Sequence, residues 1–236
     1  MDLIGKTIYG PTVSVNLKKP DLTQDDPTKG DHVRGREYFD NQIAALRADM
    51  EYVPIEVTNI QHNAGTVEMG RTVDSVKVSW TLNKAPAAQT VNGNAVDVAA
   101  RSVNLTGLGI TATTDFTVSV EDERGAKDAA TTKVYFYNGI YCGSLPDSSA
   151  LDSAAVLSLT RKLQSGKATT FAAPAGRPTY ALPSRYGTPS FNIGGFDYTW
   201  TKAATIQFEN ASGYVESYDI WQHPQLVSDS VSIKVE

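Results

Sequence analysis

Alternating apolar and polar residues dominate the middle of the chain and predict β-strands. The runs 76–82, 116–120 and 134–136 each place apolar residues at every second position, and Trp80 belongs to the first of these series. A period of two puts the apolar side chains on one face of a half-buried antiparallel strand. Turn sequences that contain glycine separate the runs, at 63–65, 92–94, 106–109 and 122–125. About seven short strands within residues 53–138 are typical of an immunoglobulin-like β-sandwich, with Trp80 between its sheets.

A second β-rich region follows, because Asn138 and Gly139 interrupt the alternation. We expect a helix over residues 152–165, capped by Asp152 or Ser153 and ended by Gly166. Strand-like runs follow at 179–182, 204–209, 217–221 and 230–235. Residues 139–236 are therefore expected to form a small β-rich C-terminal domain that carries one helix.

A short helix is expected over residues 37–52, before Pro54 ends it. Phe39, Ile43, Leu46 and Met50 are spaced by 4, 3 and 4 residues, which is the a/d seam of a coiled coil. Two interpretations remain open for this seam. The helix packs on its own domain, or it forms a short coiled coil between identical chains.

Residues 1–36 are expected to be an extended segment. Within it, residues 18–36 contain only two apolar residues, Leu22 and Val33, too few to fold alone, since ordering the backbone costs roughly 1–2 kcal/mol per residue. Pro20 and Pro27 remove two backbone donors and favour extended neighbours, and charges of both signs surround them. The segment is either a loose tail or an extended peptide that becomes ordered on a partner. The predicted fold is thus mainly β: an extended N-terminal anchor and short helix, an immunoglobulin-like sandwich, and a β-rich C-terminal domain.

Composition excludes several kinds of site. The net charge of −5 is spread along the chain and argues against nucleic-acid binding. Cys142 is the one cysteine and the three histidines are scattered, so we expect no disulfide, metal site or cofactor. No run of 18 apolar residues is present, so no membrane insertion is expected. The first residues do not resemble a signal peptide, which predicts synthesis in a cytoplasm.

Catalytic motifs are also missing. The segment at 165–169 lacks the first glycine of a phosphate-binding loop, because Arg161 occupies that position. A pair of carboxylates for glycoside cleavage would come from distant parts of the chain, with Asp197, Glu209, Glu216 and Asp219 as candidates. All four fit ordinary strand or loop positions, so we do not expect an enzyme.

Aromatic residues are concentrated in the last quarter of the chain. Most are expected in the core, and those in the loop-rich stretch 183–200 are the better candidates for a surface. The candidate contacts with a host glycan are Tyr186, Phe191, Phe196 and Tyr198.

The segment from Asp21 to Arg36 resembles a motif near the N-terminus of tailed-bacteriophage virion appendages. Its matching residues are Asp21, Gln24, Asp26, Pro27, Arg34 and Arg36, while Leu22 and His32 replace the tryptophan and tyrosine that are usual there. Further stretches resemble phage structural proteins with an immunoglobulin-like module, at 76–83, 120–126, 136–143, 180–185, 192–196 and 208–214.

This resemblance implies a non-enzymatic virion protein, a head fibre or a tail or baseplate fibre. The six residues of the motif would anchor it to another virion protein, in the capsid, tail or baseplate. The seam from Phe39 to Met50 would join three copies into a homotrimer, and the C-terminal domain would serve host attachment. Two other functions stay open: a carbohydrate-binding surface module, and an enzyme that cleaves glycans or cell walls.

Overall fold

The computed structural model describes the backbone of residues 31–236 and the side chains of residues 37–236. Helix α1 spans Asp31–Met50 and helix α2 spans Ser153–Leu157. Helix α1 belongs to one compact unit of the chain, and Pro54–Glu236 forms another. The described chain is mainly β and immunoglobulin-like, as the sequence predicts.

Helix α1 begins earlier than expected. The sequence analysis places residues 31–36 in an extended segment, whereas the backbone there is already helical from Asp31. An acidic residue at the first position suits the positive end of the helix dipole, and no proline interrupts the chain between Pro27 and Pro54. Arg34 and Arg36 therefore lie in the helix and not in an extended peptide.

The first sandwich has two sheets. Its strands are β1 (Val57–His62), β2 (Thr66–Glu68), β3 (Val73–Leu82), β4 (Ala88–Val91), β5 (Asn94–Ala95), β6 (Ser102–Ile110), β7 (Thr114–Glu121) and β8 (Lys127–Tyr137). One sheet has the order β1-β3-β6 and the other β2-β8-β7-β4-β5. Strand β2 pairs with β8 in parallel, and the other pairs are antiparallel. Since β1 and β2 belong to different sheets, the chain crosses between the sheets at the turn 63–65.

Trp80 is buried at the centre of this sandwich, which confirms the predicted alternation of β3. It packs with Val78 of the same strand and with Phe116 and Val118 of β7 in one cluster. Its indole N–H donates to the Oε1 of buried Gln89 at 3.2 Å. The indole nitrogen of Trp80 is thus satisfied, as burial requires.

The second sandwich is formed by the rest of the chain. Its strands are β9 (Gly139–Leu145), β10 (Thr160–Leu163), β11 (Thr169–Ala173), β12 (Arg177–Pro183), β13 (Phe191–Ile193), β14 (Phe196–Tyr198), β15 (Thr201–Glu209), β16 (Val215–Gln222) and β17 (Val231–Val235). They form a five-stranded sheet of order β10-β9-β12-β16-β15 and a four-stranded sheet of order β11-β17-β13-β14. One core lies between the two sheets. A second core lies on the other face of the larger sheet, around Tyr141 and Phe208, and includes Val156 of α2.

The helix predicted over residues 152–165 is much shorter in the structure. Asp152 caps α2 as expected, through a hydrogen bond from the Ala155 N–H to its side chain. The chain then turns at Ser158, and Thr160–Leu163 forms strand β10, paired with β9. Pairing with a strand about twenty residues earlier overrides the local helical preference.

The two sandwiches meet around one buried carboxylate. Strand β8 ends at Tyr137 and β9 begins at Gly139, so Asn138 alone connects them, where the sequence predicts a break. Glu68 at the end of β2 is only 3% exposed. Its carboxylate accepts a hydrogen bond from the Tyr141 hydroxyl at 3.2 Å and pairs with the Arg161 guanidinium at 2.5 Å, both in the second sandwich.

Close backbone packing surrounds this ion pair. The Asn210 side-chain amide donates to the Met69 carbonyl at 2.8 Å. Gly70 has φ +91°, and a Cβ there would lie 2.6 Å from the Cβ of Tyr214, so only glycine fits. We call the group of Glu68, Tyr141, Arg161 and these neighbours the junction. The junction joins the two sandwiches within the compact unit Pro54–Glu236.

We expect Trp80→Ala to lower the free energy of unfolding by about 3–5 kcal/mol, because it opens a cavity and removes the donor to the Gln89 Oε1. Chemical denaturation measures the change. Phe196→Ala, at an exposed aromatic, is the control and should change stability by about 0.5 kcal/mol or less. Equal losses in the two variants would show that Trp80 is not a core residue.

We expect Glu68→Gln to lower the free energy of unfolding by about 1–3 kcal/mol, because it leaves Arg161 without its buried counter-charge. Glu121→Gln is the control, since the Glu121–Lys127 pair is exposed and such pairs contribute about 0–1 kcal/mol. The same denaturation experiment serves both variants. A Glu68→Gln protein as stable as the control would contradict the role given to the junction.

Candidate functional site

The predicted anchoring residues fall largely outside the described part of the chain. Asp21, Gln24, Asp26 and Pro27 are among the residues that the structure does not describe. For Arg34 and Arg36 only the helical backbone is described. The anchoring role of this set therefore stays a prediction.

The predicted seam lies on helix α1. Phe39, Ile43 and Met50 are exposed in the single chain, and Leu46 is partly buried. Tyr38 contacts Phe39 edge to face, with ring centroids 5.8 Å apart. Exposed apolar residues at this spacing suit packing against another helix. The single chain does not test the oligomeric state.

Phe191 is a core residue, so its prediction as a surface contact is wrong. It is buried and its ring stacks on Trp200, with centroids 4.0 Å apart and planes at 8°. Strand β13 lies between β17 and β14 in the smaller sheet, and this central position covers the ring.

Tyr186 is half-buried and lies beside the junction. Its hydroxyl donates to the Gln164 carbonyl at 2.9 Å, and the Arg185 guanidinium lies 5.1 Å from its ring centroid. Arg185 also pairs with Glu216, whose carboxylate accepts a hydrogen bond from Asn138. The hydrogen bond to Gln164 and the contact with Arg185 give Tyr186 a packing role.

Phe196 and Tyr198 are exposed on the edge strand β14, at 73% and 44%. Tyr198 is opposite Phe191 and Phe196 is opposite Ile193, so both rings share a face with the core residues of β13. On the other face, Asn192 donates to Asp197 at 3.1 Å and holds the hairpin closed. We call the two rings the aromatic lip. They lie beside the core residues of β13 but are themselves exposed to solvent. This surface suits contact with a partner.

The sequence analysis missed a second aromatic surface, on the outer face of β8. Tyr135 and Tyr137 stack with ring centroids 5.2 Å apart, and Tyr135 is 42% exposed. They alternate with buried Val134 and Phe136, so the period-two pattern contains the signal. The residues across from them come from the parallel strand β2, a pairing that no local pattern indicates.

Asp219 is the most buried of the four candidate carboxylates, but it is unsuited to acid catalysis. Burial alone would raise the pKa of Asp219, but hydrogen bonds from Lys202, Thr205 and Ser184 outweigh it and lower the pKa below its ordinary value. A glycosidase acid needs a raised pKa in order to hold its proton. Asp219 therefore remains an ionised structural acceptor.

Among the residues that the structure describes, no group of three or more His, Cys, Asp or Glu side chains is placed to hold a metal ion. No helix within residues 31–236 is long and apolar enough to cross a membrane.

No family model and no curated protein matches the chain. Among solved structures, it is similar to SGBP-B of the Bacteroides ovatus mixed-linkage glucan utilization locus in complex with a mixed-linkage heptasaccharide. The identity is 13%, with 73% of this chain and 38% of that chain covered, at a TM-score of 0.21. It is also similar to the eight N-terminal Ig domains of Down Syndrome Cell Adhesion Molecule, at 12% identity, 75% and 23% coverage, and a TM-score of 0.22.

The chain spans well under half the length of both structures, 38% of one and 23% of the other. TM-scores this low support no argument about what the chain does. The immunoglobulin-like class rests on the chain's own strand order, above all the parallel β2–β8 pair at the edge of the five-stranded sheet in the first sandwich.

Proposed function

We propose that the protein is a non-enzymatic structural appendage of a tailed-phage virion, a head fibre or a tail or baseplate fibre. The segment from Asp21 to Arg36 resembles the anchoring motif of such proteins, and α1, which begins within that segment at Asp31, carries the apolar seam. Pro54–Glu236 then forms a compact unit that is suited to display a surface. The observation that carries this proposal is the exposed seam on a helix next to the anchor motif.

The seam favours assembly of identical chains. Phe39, Ile43 and Met50 expose apolar surface, whose burial contributes about 25 cal/mol per Å². A seam of roughly one and a half heptads is marginal by itself. Three copies held by their anchors on one particle would be concentrated enough to pair.

The aromatic lip favours a role in adhesion. Phe196 and Tyr198 are exposed side by side on an edge strand, where a host surface can reach them. A free carbohydrate-binding module is the second candidate function, favoured by these exposed rings. It would act without the anchor, so removal of the anchor separates the two. An enzyme is the least favoured function, because the sequence contains no catalytic motif and the lowered pKa of Asp219 does not suit a general acid.

We expect the intact protein to be a trimer that Ile43→Glu dissociates, because a buried charge on the seam lacks a partner. Ala44→Glu is the matched control on the same helix, one residue outside the seam. Native mass spectrometry measures both. If the seam is too weak in solution, the copy number in a cryo-electron microscopy map of the particle decides, and a single copy per site would refute the trimer.

We expect deletion of residues 1–30, which spares α1, to leave a folded protein that does not join the particle. The removed segment carries four of the six proposed anchoring residues, Asp21, Gln24, Asp26 and Pro27, and the sandwiches have their own cores. Circular dichroism checks folding, and incorporation is measured with particles assembled without the protein. The Phe196→Ala, Tyr198→Ala double variant should join normally. Normal incorporation of the shortened chain would remove the anchor from the account.

A further inference from the structure

A shallow groove of about 490 Å³ lies beside the outer face of β8 in the first sandwich. Its floor and walls include His62 of β1, Thr66 of β2, and Thr131, Lys133 and Tyr135 of β8. Thr66 lies directly opposite Tyr135 in the parallel β2–β8 pair. The groove therefore exists only because the chain crosses from one sheet to the other at 63–65. Its size is within the usual range of small-molecule sites.

Tyr135 forms a preorganised aromatic wall in this groove. Its ring stacks on Tyr137, which limits the orientations of the Tyr135 ring, and Tyr135 is 42% exposed. Tyr137 in turn lies on β8 directly opposite Glu68 of the junction. A ring held in this way loses little side-chain freedom when a ligand stacks on it.

The polar groups of the groove are arranged without excess charge. The Lys133 amine pairs with the Asp115 carboxylate at 3.1 Å, and this hydrogen bond and the charge of Asp115 raise the pKa of Lys133. The Nε2 of His62 is 3.0 Å from the Lys133 carbonyl, and its Nδ1 accepts from the Ala64 N–H at 3.2 Å. These contacts are those of a neutral imidazole that donates from Nε2. Thr66 and Thr131 add hydroxyl groups to the lining, and the Thr131 hydroxyl shares a hydrogen bond with that of Thr117 at 2.8 Å.

We propose that this groove binds a neutral carbohydrate, with a sugar ring stacked on Tyr135 and its hydroxyls bonded to Lys133 and the threonines. An aromatic face beside donors and acceptors of both kinds matches the amphipathic surface of a sugar. The inference goes beyond the proposed appendage and rests on the groove alone, so either can fail without the other.

Charge balance decides against other ligands of similar size. A polyanion gains little here, because the groove's lysine is already neutralised by Asp115. A purely apolar ligand would displace water from the Lys133–Asp115 pair and from the Thr66 hydroxyl without replacing the hydrogen bonds that water makes there. A polyhydroxyl ligand satisfies both conditions. One aromatic wall in an open groove supports weak binding, with a Kd of the order of 1 mM.

Calorimetric titration of the full chain with cellohexaose, maltohexaose and chitohexaose tests the proposal, with a sulfated heparin hexasaccharide as the charged comparison. We expect at least one neutral probe to bind, and Tyr135→Ala to weaken it by about tenfold or more. Tyr198→Ala is the matched control, because Tyr135 and Tyr198 are 42% and 44% exposed. It should keep the affinity within about twofold, a change that costs well under 1.4 kcal/mol.

A second variant guards against loss of folding in Tyr135→Ala. Thr66→Phe keeps Tyr135 and fills the groove from the opposite strand, so it should also abolish binding. The proposal is overturned if no neutral probe binds at about ten times the expected Kd. It is equally overturned if only the sulfated probe binds, or if Tyr198→Ala rather than Tyr135→Ala abolishes binding, which would assign the sugar to the aromatic lip.

Discussion

The structure of Pro54–Glu236 depends on the burial of one carboxylate, that of Glu68. An unpaired ion at 3% exposure would cost several kcal/mol, so Glu68 requires a counter-charge and a donor at fixed positions. Arg161 and the Tyr141 hydroxyl supply them from the second sandwich. Burial, and to a lesser degree the charge of Glu68, raise the pKa of Tyr141, which keeps its hydroxyl protonated as a donor. The partners thereby fix the orientation of one sandwich against the other.

Other features of the chain follow from this constraint. The connection can be a single residue, Asn138, because the junction already holds both ends. Gly70 is required because the backbone after β2 passes close to Tyr214. Strand β2 ends at Glu68 and places it in the junction by pairing in parallel with β8. This pairing also creates the groove beside Tyr135. The groove is thus a by-product of the way the sandwiches are joined.

Local patterns predicted the parts of the fold that local physics decides. Alternation around Trp80 identified a core strand, because a period of two has only one buried face. The helix expected over residues 152–165 failed beyond Ser158, since pairing of Thr160–Leu163 with β9 is non-local. The prediction of Phe191 as a surface residue failed for a similar reason. Strand β17, on one side of β13, is distant in the sequence, and no local pattern indicated strand β14 on the other side. Alternation along β8 indicates that Tyr135 and Tyr137 point outward. No local pattern indicates that β2 pairs with β8 and places Thr66 opposite Tyr135.

The central claim is that the two sandwiches form one body. Differential scanning calorimetry of the intact chain tests it most directly, because a cooperative body unfolds in one transition. The account predicts a single main transition with a ratio of van't Hoff to calorimetric enthalpy of about 1. Two resolved transitions, one for each sandwich, would contradict it and would make the junction a contact between independent domains.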